Sequence, residues 1–337
     1  MTDLIPTIPL IRRDTLDPGE CSKSRALRPL ETLKLNQDRR RVGFDPNEMA
    51  ILVNVSAGAY RLFGQHRLGW ALTRAGLANR VVIRRCAGAE LHEQAQELAR
   101  SGRRVIGVYG GDGSARTVSL AVRGLDVAIM PLPGGTLNRL CYRVHGHACL
   151  NRTLSNLKQA QPIWLSGGRA NEHAFLVASG FGPWMTLQNV RETIRRSGLY
   201  HAFAELKSLR RDLFSAGLQQ PNQPVSDVVI AAIGRVDTAF GLDSGMPDLE
   251  TDSGLEVAQA RLKNLGAAAW LAGAVLLRRW RGLANLVTRT ISDGEITMGG
   301  EEIFGLVDGE PVSLGCQVKL SFLPRAALVL TTRPFSD

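Results

Sequence analysis

Twice in succession an apolar run ends in glycines and hands over to a stretch with helical character: "VIGVYGGDGSARTVSLAV" from Val105 to Val122, then "DVAIMPLPGGTLNRLCYRV" from Asp126 to Val144. Neighbouring parallel strands need a crossover connection, usually a helix, so strands alternating with helices point to a parallel sheet. The pattern extends upstream. "MAILVNVSAGAY" from Met49 reads as a strand ending in small and polar residues, "ANRVVIRRC" as a second strand, and "GAELHEQAQELARSG" as a helix stopped at Gly102. Strands over Val105–Tyr109 and Val127–Leu132, with helices following Ser114 and Thr136, complete the series. The expected fold of this half is an α/β domain with a doubly wound parallel sheet.

After about Ser166 the rhythm changes. Short apolar stretches, "AFLVASGFG", "SDVVIAAIG", "EEIFGLVDG" and "CQVKLSFL", are separated by Gly, Asp and Pro turns, which predicts antiparallel β structure in a second domain. Residues 1–46 mix Pro, Arg, Asp and Lys without periodicity and read as a loosely ordered extension. The expected division is therefore 1–46, 47–165 for the α/β domain and 166–330 for the β-rich domain.

Forty-one basic against thirty-one acidic residues give a net charge of +10, which favours anionic partners: nucleic acid, nucleotide or an acidic membrane surface. The basic residues are dispersed and no aromatic-basic RNA-binding signature accompanies them, so nucleic acid is not expected. Five cysteines, widely spaced and without a C-x-x-C, fit neither a disulfide framework nor a zinc site, and read as small core residues in a reducing cytoplasm. The first twenty residues carry acids and prolines where a secretory signal would have a basic start and an apolar core.

A strand ending in glycines that opens a helix aims backbone N–H groups and the positive end of the helix dipole at whatever sits above the turn. Phosphate oxygens suit such a place, and glycines admit close approach. Gly110, Gly111 and Gly113 can do this, whereas Asp112 has two readings: a helix cap with Ser114, or an acid that holds Mg²⁺ beside phosphates. The second turn, Pro133-Gly134-Gly135-Thr136 followed by Asn138, favours phosphate, because two such turns in one sheet can converge on one polyphosphate. Neither matches G-x-x-x-x-G-K-[ST] or G-x-G-x-x-G, which disfavours a P-loop NTPase and a Rossmann dehydrogenase. The late Asp308-Gly309-Glu310 likewise reads either as a hairpin turn or as a carboxylate pair with a chemical role.

"GGDGS" followed by "PLPGGTLN", with "ILVNVSAG" before them and "LVDGEPV" near the end, resembles the diacylglycerol kinase and sphingosine kinase superfamily, especially its bacterial lipid kinases. The resemblance covers roughly residues 48–330 and implies an NAD-kinase/diacylglycerol-kinase-like α/β domain with a C-terminal antiparallel β-sandwich. The implied activity is ATP-dependent phosphorylation of a lipid hydroxyl such as that of diacylglycerol, with ATP and Mg²⁺ held between the domains. Asn54, Ser56, Gly110, Gly111, Gly113, Ser114, Gly135, Thr136 and Asn138 would line the nucleotide; Asp112 and Glu310 would serve the metal; Asp308 would take the proton from the hydroxyl. The implied setting is the cytoplasmic side of an anionic membrane, with the lipid as partner, no nucleic acid, and a homodimer permitted. The chain departs from the family pattern at three places: Val55 follows Asn54, Arg139 follows Asn138 where many members have Asp, and "TDSGLEV" leaves Asp252 beside Ser253 in place of Asp-Asp-Gly. An NAD-kinase-like soluble-metabolite kinase and a non-catalytic lipid- or nucleotide-binding relative remain as alternatives.

The six histidines lack H-E-x-x-H spacing, His145-Gly-His147 reads as a surface turn, and no G-x-S-x-G elbow is present. Leu265–Leu277 is thirteen apolar residues followed by Arg278-Arg279-Trp280-Arg281. That is short of the about twenty needed to span a bilayer. It reads either as a buried helix or as an interfacial element with Trp280 at headgroup depth.

Overall fold

The computed structural model describes residues 45–58, 60, 65–181, 226–240, 249, 252–262, 274, 279–284, 286–297 and 303–334. The expected extension up to residue 44, Cys21 and most of the 265–281 segment lie outside the described residues.

The alternation expected over the first half forms. Strands β1 (Met49–Asn54), β2 (Val82–Cys86), β3 (Val105–Gly110) and β4 (Ala128–Pro133) pair in parallel in the order β2-β1-β3-β4. Helices α1 (Gln65–Arg74), α2 (Leu91–Arg100), α3 (Asp112–Ala121), α4 (Arg139–His145) and α5 (Leu150–Ser155) cover both faces. Ala50, Leu52, Ile106 and Val108 pack with Ala95 and Leu98 of α2 and Val118 of α3 on one side. Met49, Ile51 and Val53 meet Leu68 and Leu72 of α1 and Leu154 of α5 on the other. A strand covered on both faces needs apolar residues at both parities, which is why β1 and β3 are continuous apolar runs. The edge strand β2 instead carries Arg84 and Arg85. Helix α2 buries Leu91, Ala95 and Leu98 at helical spacing. It stops where Gly102 takes φ +83 and the Arg103 N–H bonds back to the Leu98 carbonyl.

The second half is β structure. It comprises β5 (Gln161–Ala170), β6 (His173–Phe175), β7 (Ala178–Phe181), β8 (Ser226–Ile233), the short helix α6 (Val236–Phe240), β9 (Leu255–Leu262), β10 (Leu286–Ile291), β11 (Asp293–Thr297), β12 (Phe304–Val307), β13 (Glu310–Ser313) and β14 (Gln317–Thr331). An antiparallel sheet of order β10-β9-β8-β7-β12-β13 forms the C-terminal domain. Phe181, Val229, Val257 and Val307 of that sheet pack against Phe175, Val318 and Leu320 of the other. The long strand β14 joins the two halves: it pairs antiparallel with β11 and β5 and, through Val329↔Ile129, parallel with β4. The chain's last strand thus returns to the first sheet, and the expected division at 165–166 falls inside β5.

His145 sits where β14 closes on α4. It is buried, contrary to the surface turn expected for His145-Gly-His147. Its Nε2 donates to the Pro131 carbonyl at 3.0 Å, and its Nδ1 accepts from the Thr332 N–H at 3.3 Å. Burial pushes its pKa down to about 3. Because the folded value lies below the unfolded one of about 6.5, the stability from neutral His145 is present above that pH and is lost as pH falls from there towards 3. Urea unfolding of His145→Gln at pH 7.5 and pH 5 is expected to show a shallower loss of stability on acidification than the parent.

Trp280 does not sit at headgroup depth as the interfacial reading of its segment would have it. It is 3% exposed, donates its indole N–H to Asp237 at 2.6 Å, and packs with Ala232, Val236, Ala258 and Ala274. Arg281 beside it is held by Asp237 and bidentately by Glu256. Trp280 is thus part of the domain's interior, and Arg281 is tied to it from the surface by two acids. Among the described residues no helix is long and apolar enough to cross a membrane.

Candidate active site

The two glycine turns meet at the C-terminal ends of β3 and β4. The Gly134 N–H donates to the Gly110 carbonyl at 3.0 Å, and a Cβ on Gly135 would lie 2.5 Å from the Gly111 Cα. The glycines therefore do more than admit a ligand: they let one turn lie backbone on backbone against the other. Gly135→Ala has no flexible atom to push aside and is expected to lower the melting temperature, at a cost of about 1–3 kcal/mol for overpacking. Gly113→Ala would meet the mobile end of Glu310 and is expected to cost less.

Asn54, at the end of β1, donates its amide to the Ser114 hydroxyl at 2.8 Å and accepts from the Ser56 N–H at 2.9 Å. The first loop is thereby tied side chain to side chain to the glycine turn. Asn138 takes a left-handed conformation, φ 50, which asparagine tolerates. Its side chain closes the second turn by accepting from the Gly135 N–H at 2.8 Å and donating to the Gly135 carbonyl at 2.9 Å. Thr136 stands exposed at the tip.

Asp112 caps a helix, but not its own. Its two oxygens accept from the Arg139 and Leu140 N–H groups at 3.0 and 2.8 Å, at the start of α4, where the N-cap Asn138 makes no side-chain cap bond. Burial raises its pKa, against the two amides and the Arg139 charge, which lower it. Arg139 lends its backbone here while its guanidinium lies over the Tyr142 ring at 5.7 Å.

Asp308 and Gly309, with φ 49 and 86, form the two-residue turn between β12 and β13. The hairpin reading of this motif is correct locally, and the carboxylate still has a defined environment. It accepts N–H bonds from Leu176 at 2.7 Å, Val177 at 2.8 Å and Ala178 at 3.1 Å. Burial pushes its pKa up to about 6, the three amides pull it down, and the Asp112 charge raises it further. The two acids, far apart in sequence, are thus near enough in the fold for the charge of one to act on the other.

Arg116 of α3 joins the two sides. Its guanidinium donates to the Val307 carbonyl at 3.0 Å and to Glu310 at 3.3 Å. The Glu310 carboxylate lies so close to Gly113 that a Cβ there would come within 2.1 Å of it. Beneath, Arg143 of α4 is 5% exposed and donates to the Ser166 carbonyl, the Ser166 hydroxyl, Asp252 and the Leu176 carbonyl. The Leu176 N–H in turn donates to Asp308. Asp252 is occupied by Arg143 and by the Ser166 hydroxyl at 2.8 Å.

The residues fit a polyphosphate better than a ready-made metal cage. The paired turns at the start of α3 form a backbone cradle that side chains would fill. Among the described residues no three His, Cys, Asp or Glu side chains gather to hold a metal. Asp112 commits both oxygens to α4, and Glu310 is paired with Arg116. Of the cysteines expected in the core, Cys86 and Cys141 are buried, whereas Cys149 and Cys316 are exposed. Sequence reasoning missed Arg116, Arg143 and the amides of Leu176–Ala178; nothing local in the sequence distinguishes them.

Residues 48–168 match the model of the diacylglycerol kinase catalytic domain family. No curated protein matches the chain. Among solved structures, two of a provisionally assigned diacylglycerol kinase from Bacillus anthracis str. Sterne align with TM-score 0.58 at 15% identity. They cover 84% and 85% of this chain and 96% and 97% of theirs. A third structure, of a diacylglycerol kinase from the same organism, aligns with TM-score 0.53 at 15% identity over 84% of this chain and 96% of its own. At that identity the structures speak for the shared two-domain fold.

Proposed function

We propose that this chain, whose residues 48–168 carry a diacylglycerol kinase-type catalytic domain, is an ATP-dependent lipid kinase that transfers the γ-phosphoryl group to a lipid hydroxyl such as that of diacylglycerol. The observation that carries the reading is the junction itself. Two interlocked glycine turns face a part-buried carboxylate on a hairpin fastened to them through Arg116 and Glu310. Phosphoryl transfer asks little covalent chemistry of a protein; it needs the phosphates positioned, their charge met, and the acceptor oriented by a carboxylate.

In this reading the phosphates rest on Gly110–Gly113 and Gly135–Thr136, walled by Asn54, Ser56, Ser114 and Asn138. Asp308 accepts the hydroxyl proton as the acceptor oxygen bonds to the γ-phosphorus, and the bond from that phosphorus to the bridging oxygen breaks, releasing ADP. A carboxylate near pKa 6 is ionised at neutral pH and is a stronger base than an ordinary aspartate. A divalent ion arriving with the nucleotide would neutralise phosphate charge; the protein's own part is binding, orientation and the proton. The net charge of +10 supports work at an anionic membrane surface.

The test is to incubate the purified chain with Mg²⁺, γ-labelled ATP and a total lipid extract, and to identify the labelled species by mass spectrometry. A phosphorylated lipid is the expected product. Labelling of NAD in its place would make the chain a soluble-metabolite kinase, and nucleotide binding without any transfer would make it a non-catalytic relative.

A further inference from the structure

An anion already lies against the first glycine turn. Glu310 lays its carboxylate on the face of Gly113, and Arg116 holds it there through a single contact at 3.3 Å. Glu310 is about half exposed, with a side-chain exposure of 49%, so the tie is weak and readily exchanged. Arg116 is the opposite: its side chain is only 11% exposed, anchored by the Val307 carbonyl, and its Nε–H is buried with no hydrogen-bond partner. A buried guanidinium donor left unpaired is costly, and calls for an acceptor that the folded chain does not itself supply. Arg116 also lies one helical turn beyond Asp112, on the same face of α3 and directly after the glycine turn.

On the nucleotide reading above, we propose that Arg116 is a phosphate-binding catalytic residue: it exchanges Glu310 for the terminal phosphoryl group of a bound nucleoside triphosphate. The guanidinium fork matches phosphate oxygens in geometry and charge, and the Val307 carbonyl keeps it aimed at the Asp308 hairpin during the exchange. Glu310 acts as a placeholder, occupying with its own negative charge the spot between Gly113 and Arg116 that the phosphoryl group takes. The arrangement also gives this chain a cationic group at a site where no metal-ligating trio is assembled among the described residues.

The test compares affinities of the full chain for a non-hydrolysable ATP analogue and for ADP, by calorimetry at one fixed Mg²⁺ concentration. Arg116→Gln is expected to weaken the ATP analogue about tenfold or more, as loss of a charge-assisted hydrogen bond requires, and to leave ADP within about twofold. Arg116→Lys restores part of the difference. Glu310→Gln, which leaves Arg116 in place and releases it, is expected to tighten the ATP analogue relative to ADP, and serves as the readout should Arg116→Gln fail to fold. Equal weakening of both nucleotides by Arg116→Gln, no effect on either, or no tightening in Glu310→Gln overturns the role of Arg116 alone. A parent chain that binds neither nucleotide removes the nucleotide reading itself, and this role with it.

Discussion

Asp308→Asn is expected to reduce phosphoryl transfer by roughly a hundred- to ten-thousand-fold, the usual range for removing a general base, with nucleotide affinity unchanged. The side chain keeps its shape, and its remaining oxygen can still accept from Val177 and Ala178 at the Oδ1 position. What it loses is the acceptor for the Leu176 N–H and the capacity to take a proton from an alcohol. The nucleotide turns do not bond to Asp308; their contact with the hairpin runs through Glu310 and Arg116. Single-turnover transfer alongside calorimetric ATP binding separates the two effects. A variant that retains transfer within a few-fold would remove Asp308 from the chemistry and leave it as a turn residue.

The same carboxylate predicts the acid side of the pH profile. Its pKa is raised to about 6, so the base form is lost as pH falls through that value, well above the range of an exposed aspartate. The stability consequence has the opposite sign. The fold prefers the protonated form, so the Asp308 contribution to stability declines as pH rises from the unfolded value of about 3.9 towards 6. A chain most active above pH 6 is therefore held slightly against its own stability at that residue, as expected where burial tunes a group for proton transfer.

The strands and helices of the first domain were legible because burial on both faces of a parallel sheet forces continuous apolar runs, as in Met49–Asn54 and Val105–Gly110, and helices punctuate them with glycine stops such as Gly102. The glycine turns were legible as turns, but not for all the reasons they exist. That Gly134 and Gly135 lie on Gly110 and Gly111 is a tertiary contact, and no local pattern encodes it. Asp112 reads as a cap for its own helix or as a metal acid, because the helix it does cap begins far along the chain at Arg139. Arg116 and Glu310 look like ordinary surface charges until β13 brings them together. The amides that hold Asp308 carry no side-chain signature at all. Motif order could place the chemistry at the right turns; the wiring between them depends on how the second sheet docks on the first.

That wiring yields the second large effect. Arg143 in "RLCYRVH" is spaced like any helix arginine, yet its guanidinium is buried and serves Ser166, Asp252 and the Leu176 carbonyl at once. Arg143→Met is expected to destabilise the chain by about 3–5 kcal/mol, because it strands the Asp252 carboxylate in a site where the ion pair's side chains are 6% and 9% exposed. Most of that cost is the unpaired charge. Adding Asp252→Asn removes it, so the double variant should recover part of the stability, a non-additivity measurable by urea unfolding of all four proteins in the cycle. Arg143→Lys keeps the charge, but a compact ammonium cannot replace the planar fork across four acceptors; intermediate stability is expected. Because the peptide group joining Leu176 to Val177 bonds Arg143 through the Leu176 carbonyl and Asp308 through the Val177 N–H, even the folded lysine variant should lose transfer rate while holding nucleotide as the parent does. If Arg143→Lys kept the full rate, the peptide between the two side chains would be shown to sit correctly without its buried cation, and Arg143 would be an anchor for Asp252 only.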